Sequence, residues 1–226
     1  MSIPQDPDFG LASRSFDGIS TYASATIVNN LGFGWVGSIS MWVKDASGGG
    51  TFMTTARTGS SMGNITLQGS GGTLQFRINS RQDAPYGYNV IHGDPIPVDE
   101  WVHVVAVVDD TADDYSLYIN GVGSHGLQMN RIADHTDGDF REVNFSRSHN
   151  HTWGTTFNSC QVANARIWNR KISPEEVGVL YGNGTISDAS LIGAWIGNLN
   201  NLTDYGPNSD HLTNYGSTYS TDGPFN

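Results

Sequence analysis

Cysteine is nearly missing from this chain: Cys160 stands alone among 226 residues, so no intrachain disulfide can form. A lone thiol usually packs as a small hydrophobe, and we read Cys160 as a buried strand residue rather than a nucleophile. Lysine is almost as rare, at Lys44 and Lys171, and the formal net charge is −11. Such a balance argues against nucleic acid as a partner, because phosphate binding needs a basic surface, and it disfavours anionic membranes. It leaves neutral glycans, cations and basic protein surfaces. No stretch approaches the roughly 20 apolar residues of a membrane-spanning helix. The first residues, MSIPQDPDFG, lack the basic start and apolar run of a secretory signal, so no signal peptide is expected in this chain. Glutamate is confined to Glu100, Glu142, Glu175 and Glu176, and no Glu-x-Asp or Asp-x-Glu pair occurs. Glycoside hydrolysis needs two carboxylates about 5 to 9.5 Å apart across the scissile bond, so this poverty argues against a glucanase.

Glycine, with 28 residues, is what the chain has in excess, beside 37% hydrophobic and 15% charged residues. Many turns between short strands point to an all-β domain with long loops. A chain of this length buries about 70% of its unfolded surface, enough to fold without a disulfide or metal. The clearest segment is Trp101 to Val122, WVHVVAVVDDTADDYSLYINGV. Val102 to Val108 is β-branched and almost continuously apolar, which predicts a strand covered on both faces. DDTADD supplies a turn. Tyr115, Leu117 and Ile119 then alternate with Ser116, Tyr118 and Asn120, and Asn120-Gly121 is the favoured dipeptide of a type I′ turn.

Other strands are expected from Arg14 to Tyr22, at Ser38 to Val43, Thr51 to Thr55 and Asn64 to Gln68, and where Leu74, Phe76 and Ile78 alternate with polar residues. Glu142 to Phe145, Gln161 to Trp168 and Leu191 to Trp195 complete the set, with a final strand in the tail. Ser47 to Gly50 and Gly69 to Gly72 read as turns. Arg81 to Pro97 and Ser124 to Phe140 read as long loops. Trp42, Trp101, Trp168 and Trp195 fall in strand patterns and are assigned to the core. Ser173 opens a short helix over residues 173–181: serine at N-cap, proline next, Glu176 three residues on. Five Asn-x-Ser/Thr sequons occur, no more than this composition produces by chance, so they say nothing of glycosylation.

In this order the segments resemble the laminin-G-like and pentraxin-type concanavalin A-like domains. The resemblance runs from about Ser13 to Tyr181. It rests on Phe16-Asp17-Gly18 with Tyr22, on Ser40-Met41-Trp42-Val43, and on Trp101-Val102-His103 with Tyr118-Ile119-Asn120-Gly121. It closes on Arg166-Ile167-Trp168-Asn169-Arg170 followed by Ile172-Ser173 and the acid pair Glu175-Glu176. The tail GAWIGNLNNLTDYGPNSDHLTN resembles an edge element of such domains. The resemblance implies an all-β antiparallel jelly-roll β-sandwich over residues 13–226, behind an extended arm at 1–12. It implies little about ligand, since the fold serves lectins, lyases, glucanases, adhesion proteins and phage structural proteins. Two departures matter. Where pentraxin-like members carry calcium ligands, this chain has Ser146-Arg147-Ser148-His149-Asn150-His151, without a carboxylate. Where many relatives place an acidic pair, it has Ala163-Asn164.

For glycan binding, loop aromatics beside polar groups are the useful residues, because sugar C–H faces stack on aromatic rings. Tyr86, Tyr88, His149, His151 and Trp153 are the expected set. His149 and His151 alone fall short of a zinc ligand count, and nothing in the sequence anchors His125 and His135 beside them. For calcium, Asp134, Asp137 and Asp139 in DHTDGD supply oxygen ligands without EF-hand spacing, and DDTADD is a similar cluster. His103 and Tyr118 are the pair a polysaccharide lyase would use. We expect recognition at the rim and packing inside. The expected function is a non-catalytic structural or binding protein displayed on a larger assembly, such as a phage capsid decoration, cement or fibre protein. Its partners are then other subunits of that assembly or surface glycans, and its place is the virion surface or outside the cell, as an oligomer. A stand-alone calcium-assisted lectin and a polysaccharide lyase are the alternatives.

Overall fold

The computed structural model describes residues 11–31, 34–45, 49–56, 63–79, 88–112, 114–128, 140–150, 154–186, 189–195 and 203–225. In chain order the first strands are β1 (Ser13–Ser15), β2 (Tyr22–Thr26), β3 (Val36–Asp45), β4 (Gly50–Ala56), β5 (Gly63–Ser70), β6 (Thr73–Asn79) and β7 (Tyr88–Pro95). Then come β8 (Trp101–Asp109), β9 (Asp114–Ile119), β10 (Val122–Gln128), β11 (Glu142–Phe145), β12 (Arg147–Asn150), β13 (Gly154–Phe157) and β14 (Cys160–Trp168). The helix α1 (Pro174–Tyr181) follows, then β15 (Leu191–Trp195), β16 (Thr213–Tyr215) and β17 (Thr218–Ser220).

Two antiparallel sheets stack face to face. One runs β10-β9-β8-β3-β14-β1-β17, with β15 also on β14; the other runs β16-β2-β11-β4-β5-β6-β7. β12 and β13 form a separate ribbon. Strand alternation decides what lies between the sheets. On β8, Val102, Val104, Ala106 and Val108 enter the main core with Ile39, Met41, Leu117, Phe76 and Phe145. Val105 and Val107 point the other way, onto a second cluster with Trp168, Ile172, Val177 and Leu180. Both faces of β8 are therefore covered, which is why its run is apolar throughout. The expected jelly-roll sandwich is the observed one.

The helix starts where its caps put it. The Glu176 N–H donates to Ser173 Oγ (3.3 Å), and Ser173 N–H donates to the Glu176 carboxylate (2.8 Å). Arg170 grips the same carboxylate at 2.7 and 2.5 Å.

The signature motifs meet at one point on the outer face of the β8 sheet. Asn120 adopts φ 50°, and its side-chain oxygen accepts the His103 N–H at 2.9 Å. Its own N–H donates to the His103 carbonyl, also at 2.9 Å. Gly121 has φ 80°, and a Cβ there would sit 3.0 Å from the Tyr181 ring. Tyr181 stacks on Trp42 at 5.7 Å, and Phe225 meets Trp42 edge-on at 5.0 Å. Trp42, His103, Asn120-Gly121 and the end of α1 thus form one packing unit.

Several expectations are corrected. Arg81 to Pro97 is not all loop: Tyr88 to Pro95 pairs with β6, Ile91 is buried, and the edge position tolerates Pro95. Residues 81–87 lie outside the described residues. Ser124 to Gln128 belongs to β10, paired with β9 through an irregularity between Gly123 and His125. His149 and Asn150 sit in β12, opposite Thr155 and Gly154, rather than in a loop. Arg14 to Tyr22 is two strands in different sheets. Between them the Asp17 carboxylate accepts the N–H groups of Ile19, Ser20 and Thr21 at 2.8–3.0 Å. Those bonds hold Asp17 well below the usual carboxylate range. Of the four tryptophans assigned to the core, Trp42, Trp168 and Trp195 are buried as expected, Trp195 between the sheets, and only Trp101 is not. Trp168 and Trp42 are buried on the outer face, and Trp101 is half-buried there with its indole donating to Asp222.

Candidate functional site

The outer face of the β8 sheet carries the most perturbed groups, and it is closed. His103 is 1% exposed, and its Nε2 lies 3.0 Å from Ser40 Oγ. Burial, with Arg166 nearby, drives its pKa down to about 3, so the ring is neutral. Burial likewise lowers Arg166, to about 10. Trp42, Tyr181 and Phe225 pack against this cluster. Tyr118 stands on the same face opposite Val105 and packs on the second apolar cluster. The structure does not present His103 and Tyr118 to a polymer chain; they belong to the packing of α1.

Several described carboxylates are engaged in the same way. Lys171 Nζ reaches Asp114 at 2.6 Å and Asp109 at 3.3 Å, so an ammonium already serves the DDTADD turn. Glu176 caps α1. Asp222 binds Lys44, Trp101 and Gln161 at 2.8–3.2 Å. Burial pushes its carboxyl up, and those donors together outweigh it and bring it below the usual range. Among the described residues no group of three or more His, Cys, Asp or Glu side chains is arranged to hold a metal. Asp134, Asp137 and Asp139 lie outside the described residues. Burial and Asp45 raise the Cys160 thiol beyond any ordinary thiol value, which leaves it inert. A shallow depression lined by Asn30, Gly34, Trp35, Val36 and Asn169 offers no aromatic face among the described residues, since Trp35 is buried and its indole donates to Asn169.

The outer face of the second sheet is different in kind. On β2, Ala23 and Ala25 turn inward, so Tyr22, Ser24 and Thr26 turn outward. Register then carries a polar row across the sheet: Thr213, Ser24, Asn144, Thr54, Thr66 and Arg77 stand side by side. Thr54 and Thr66 hydroxyls meet at 3.1 Å. Arg77 donates through Nε and Nη2 to Gln75 Oε1 at 2.9 and 2.7 Å, and Gln75 lies beside His92 in the next row.

At the β16 edge this row meets aromatic rings. Tyr22 and Tyr215 are paired residues, and their rings stack at 4.1 Å and 7°. Tyr215 is 45% exposed. The Arg147 guanidinium carbon lies 4.5 Å over the Tyr22 ring centre, and Phe157, opposite Arg147 on the ribbon, is 6.0 Å from Tyr22. Such a cation–π arrangement holds the guanidinium in place. Asn144 is fully buried, and neither amide atom has a partner among the described residues; nor does the buried Arg147 Nε. Asn144, Thr54 and Thr66 are buried, whereas Tyr215 and Thr213 are exposed and Tyr22, Ser24 and Arg147 half-buried, so the open part of this face is the β16–β2 edge, where Tyr rings beside hydroxyl groups can meet polyhydroxylated ligands.

Of the five expected glycan-contact residues, Tyr86, His151 and Trp153 lie outside the described residues. Tyr88 pairs with Asn79 and His149 with Thr155, and only their backbone positions are described. Tyr22, Tyr215, Arg147 and Asn144 were not among the expected contacts. The alternation of YASAT, small apolar residues against Tyr and hydroxyls, was the readable signal for the first of them.

No curated protein matches the sequence. A heptameric SAP-like pentraxin from Limulus polyphemus has the same fold, with TM-score 0.67 at 14% identity over 97% of this chain and 96% of that one. A candidate carbohydrate-binding protein of Bacteroides ovatus ATCC 8483 aligns with TM-score 0.64 at 13% identity, over 93% of this chain and 59% of that one. The botulinum neurotoxin serotype D binding domain aligns at 0.57 and 16% identity, over 79% of this chain and 44% of that one. At these identities the likeness is one of fold, and the chain spans little more than half of the second protein and less than half of the third. The model of the Laminin_G_3 family matches residues 17–178, the stretch from Asp17 through Glu176 that holds most of the signature residues, and the chain belongs to this family of the concanavalin A-like lectin/glucanases superfamily.

Proposed function

We propose that this chain is a non-catalytic binding module that holds saccharides on the outer face of the β2–β7 sheet. One observation carries the reading: Tyr215, nearly half exposed, lies flat on Tyr22 beside the exposed Thr213 and the half-buried Ser24. A flat aromatic surface takes the C–H face of a pyranose, and flanking amides and hydroxyls take its OH groups. The lectin-type family and the carbohydrate-binding label on the Bacteroides relative support the ligand class. The closed state of His103 and the engagement of the carboxylates support binding without chemistry. Tyr86, Tyr88, His149, His151 and Trp153 are the further saccharide contacts we propose. Calcium at Asp134, Asp137 and Asp139 is the corresponding proposal for a metal-assisted variant.

Tyr215→Ala is expected to weaken binding of a saccharide chosen from a glycan panel about ten-fold, the equivalent of about 1.4 kcal/mol. Titration by calorimetry checks this. Unchanged affinity would mean the sugar sits elsewhere.

We further infer that the module works within a larger assembly, such as a virion surface. Exposed Ile19, Val28, Val98 and Val122 offer apolar contacts, and the pentraxin neighbour is heptameric. A strictly monomeric chain in light scattering at high concentration contradicts that role.

A further inference from the structure

We propose that Asp222 is a positioning residue for the saccharide site: it straps the chain after β17 across the opposite sheet and so holds β16, with Tyr215, flat against Tyr22. The inference rests on the saccharide reading above and adds what keeps that site in shape.

Tyr215 has little of its own to hold it. β16 is three residues long, all three are exposed, and among the described strands it pairs with β2 alone. A strand so short and paired on one side is marginal by itself. The next strand, β17, is no stronger: it is also three residues long, and it pairs with the three-residue β1. The two strands belong to different sheets, and the turn between them is braced. Gly216 has φ 84°, the Asn214 side-chain oxygen accepts the buried Ser217 N–H at 2.8 Å, and the Asn214 amide donates to the Ser217 carbonyl at 3.1 Å. A shift of β17 is therefore passed on to Tyr215.

The hold on β17 comes from beyond it. Asp222 collects donors from four adjacent strands of the β8 sheet. Its carboxylate accepts from Lys44 Nζ on β3 at 2.8 Å, from the Trp101 indole on β8 at 3.1 Å and from Gln161 Nε2 on β14 at 3.2 Å. Its carbonyl accepts from Ser13 Oγ on β1 at 2.7 Å, and its N–H donates to Ser220 Oγ at 3.1 Å. β3, β8 and β14 are nine or ten residues long, so the strap is fastened to the firmest strands of that sheet. Bonds to an ionised acceptor are the strong kind. Three residues on, Phe225 meets Trp42 edge-on at 5.0 Å. The Asp222 side chain is 40% exposed, so its removal loosens the strap without emptying a core. The outer face of one sheet thus sets the shape of a site on the other.

The test uses the full chain with Asp222→Ala, Asp222→Asn, Tyr215→Ala and the double variant Asp222→Ala/Tyr215→Ala. Without ligand, Asp222→Ala is expected to speed amide hydrogen exchange at Ser217 about ten-fold while β5 and β6 stay unchanged. Asp222→Asn keeps an oxygen for the Trp101 indole and falls between. In calorimetry with a saccharide retained from the glycan panel, Asp222→Ala weakens binding about five-fold. In the Tyr215→Ala background the same change costs nothing further, because the ring it positions is gone. Unchanged exchange at Ser217 overturns the inference whatever the ligand. A binding loss that persists without Tyr215 marks a general effect on the fold and overturns it too. Tyr215→Ala weakening the saccharide while Asp222→Ala does not overturns the inference and leaves the saccharide reading standing. No glycan bound by the wild type removes both. Near-UV circular dichroism reports that each variant is folded.

Discussion

His103→Gln flattens the acid limb of the stability curve. His103 is neutral and buried in the fold, with its pKa held at about 3, whereas an unfolded histidine titrates near 6.5. A depressed pKa means that the unfolded chain takes up the proton first. The contribution is therefore complete above about pH 6.5 and lost as pH falls toward 3. Between pH 6.5 and 4.5 this residue alone costs the wild type about 2 kcal/mol, the slope reaching about 1.4 kcal/mol per pH unit only well below pH 6.5. Glutamine keeps an N–H to meet Ser40 Oγ and cannot titrate. Urea denaturation at pH 7, 6, 5 and 4.5 on both proteins isolates the term as a difference, above the range where Asp17 and Asp222 protonate. Parallel curves would show that His103 is solvated, and with it the claim that this face is closed would fail.

Asp204→Ala is expected to cost on the order of 3 kcal/mol, because it strips one buried and two half-buried N–H groups of a charged acceptor. Asp204 is 4% exposed, and its carboxylate accepts from Ala194 and Gly206 at 2.7 Å and from Asp210 at 2.9 Å. Its own N–H donates to His211 Nδ1 at 3.0 Å. The turn so formed ties the tail to β15, and the Asp210 carbonyl accepts the Trp195 indole at 2.7 Å. β16 begins two residues after His211, so this anchor also aims Tyr215. The same variant should melt roughly 9 °C lower, at about 3 °C per kcal/mol for a chain of this size. A loss under about 1 kcal/mol would mean that the donors find water and the turn is not buried.

Elements whose cause is local were legible in the chain. The β8–β9 hairpin follows from a β-branched run, a polar turn and strict alternation. The start of α1 follows from Ser173, Pro174 and Glu176 alone. Elements whose cause lies across the fold were not legible. β7 has glycine and proline in place of alternation, and only its pairing with β6 makes it a strand. Trp42 and His103 were placed on strands correctly, but periodicity gives two faces without saying that α1 and the C-terminal segment cover the outer one. The candidate site failed to show for the same reason. Tyr22 and Tyr215 come from opposite ends of the chain, and Arg147 reaches them through the ribbon that leaves β11 at Ser146, whose φ is 63°. No window of sequence contains that arrangement. The acidic and histidine-rich segments drew attention because they are locally conspicuous, whereas the polar row is dispersed one residue per strand.

The central claim is that ligand is held on the outer face of the β2–β7 sheet, and a backbone amide titration by nuclear magnetic resonance tests it most directly. With a saccharide retained from the glycan panel, shifts should concentrate at Tyr22, Ser24, Asn144, Arg147 and Tyr215 while α1 stays silent. Shifts gathered around Trp42, His103 and Tyr181, or no saturable shifts at all, would contradict it.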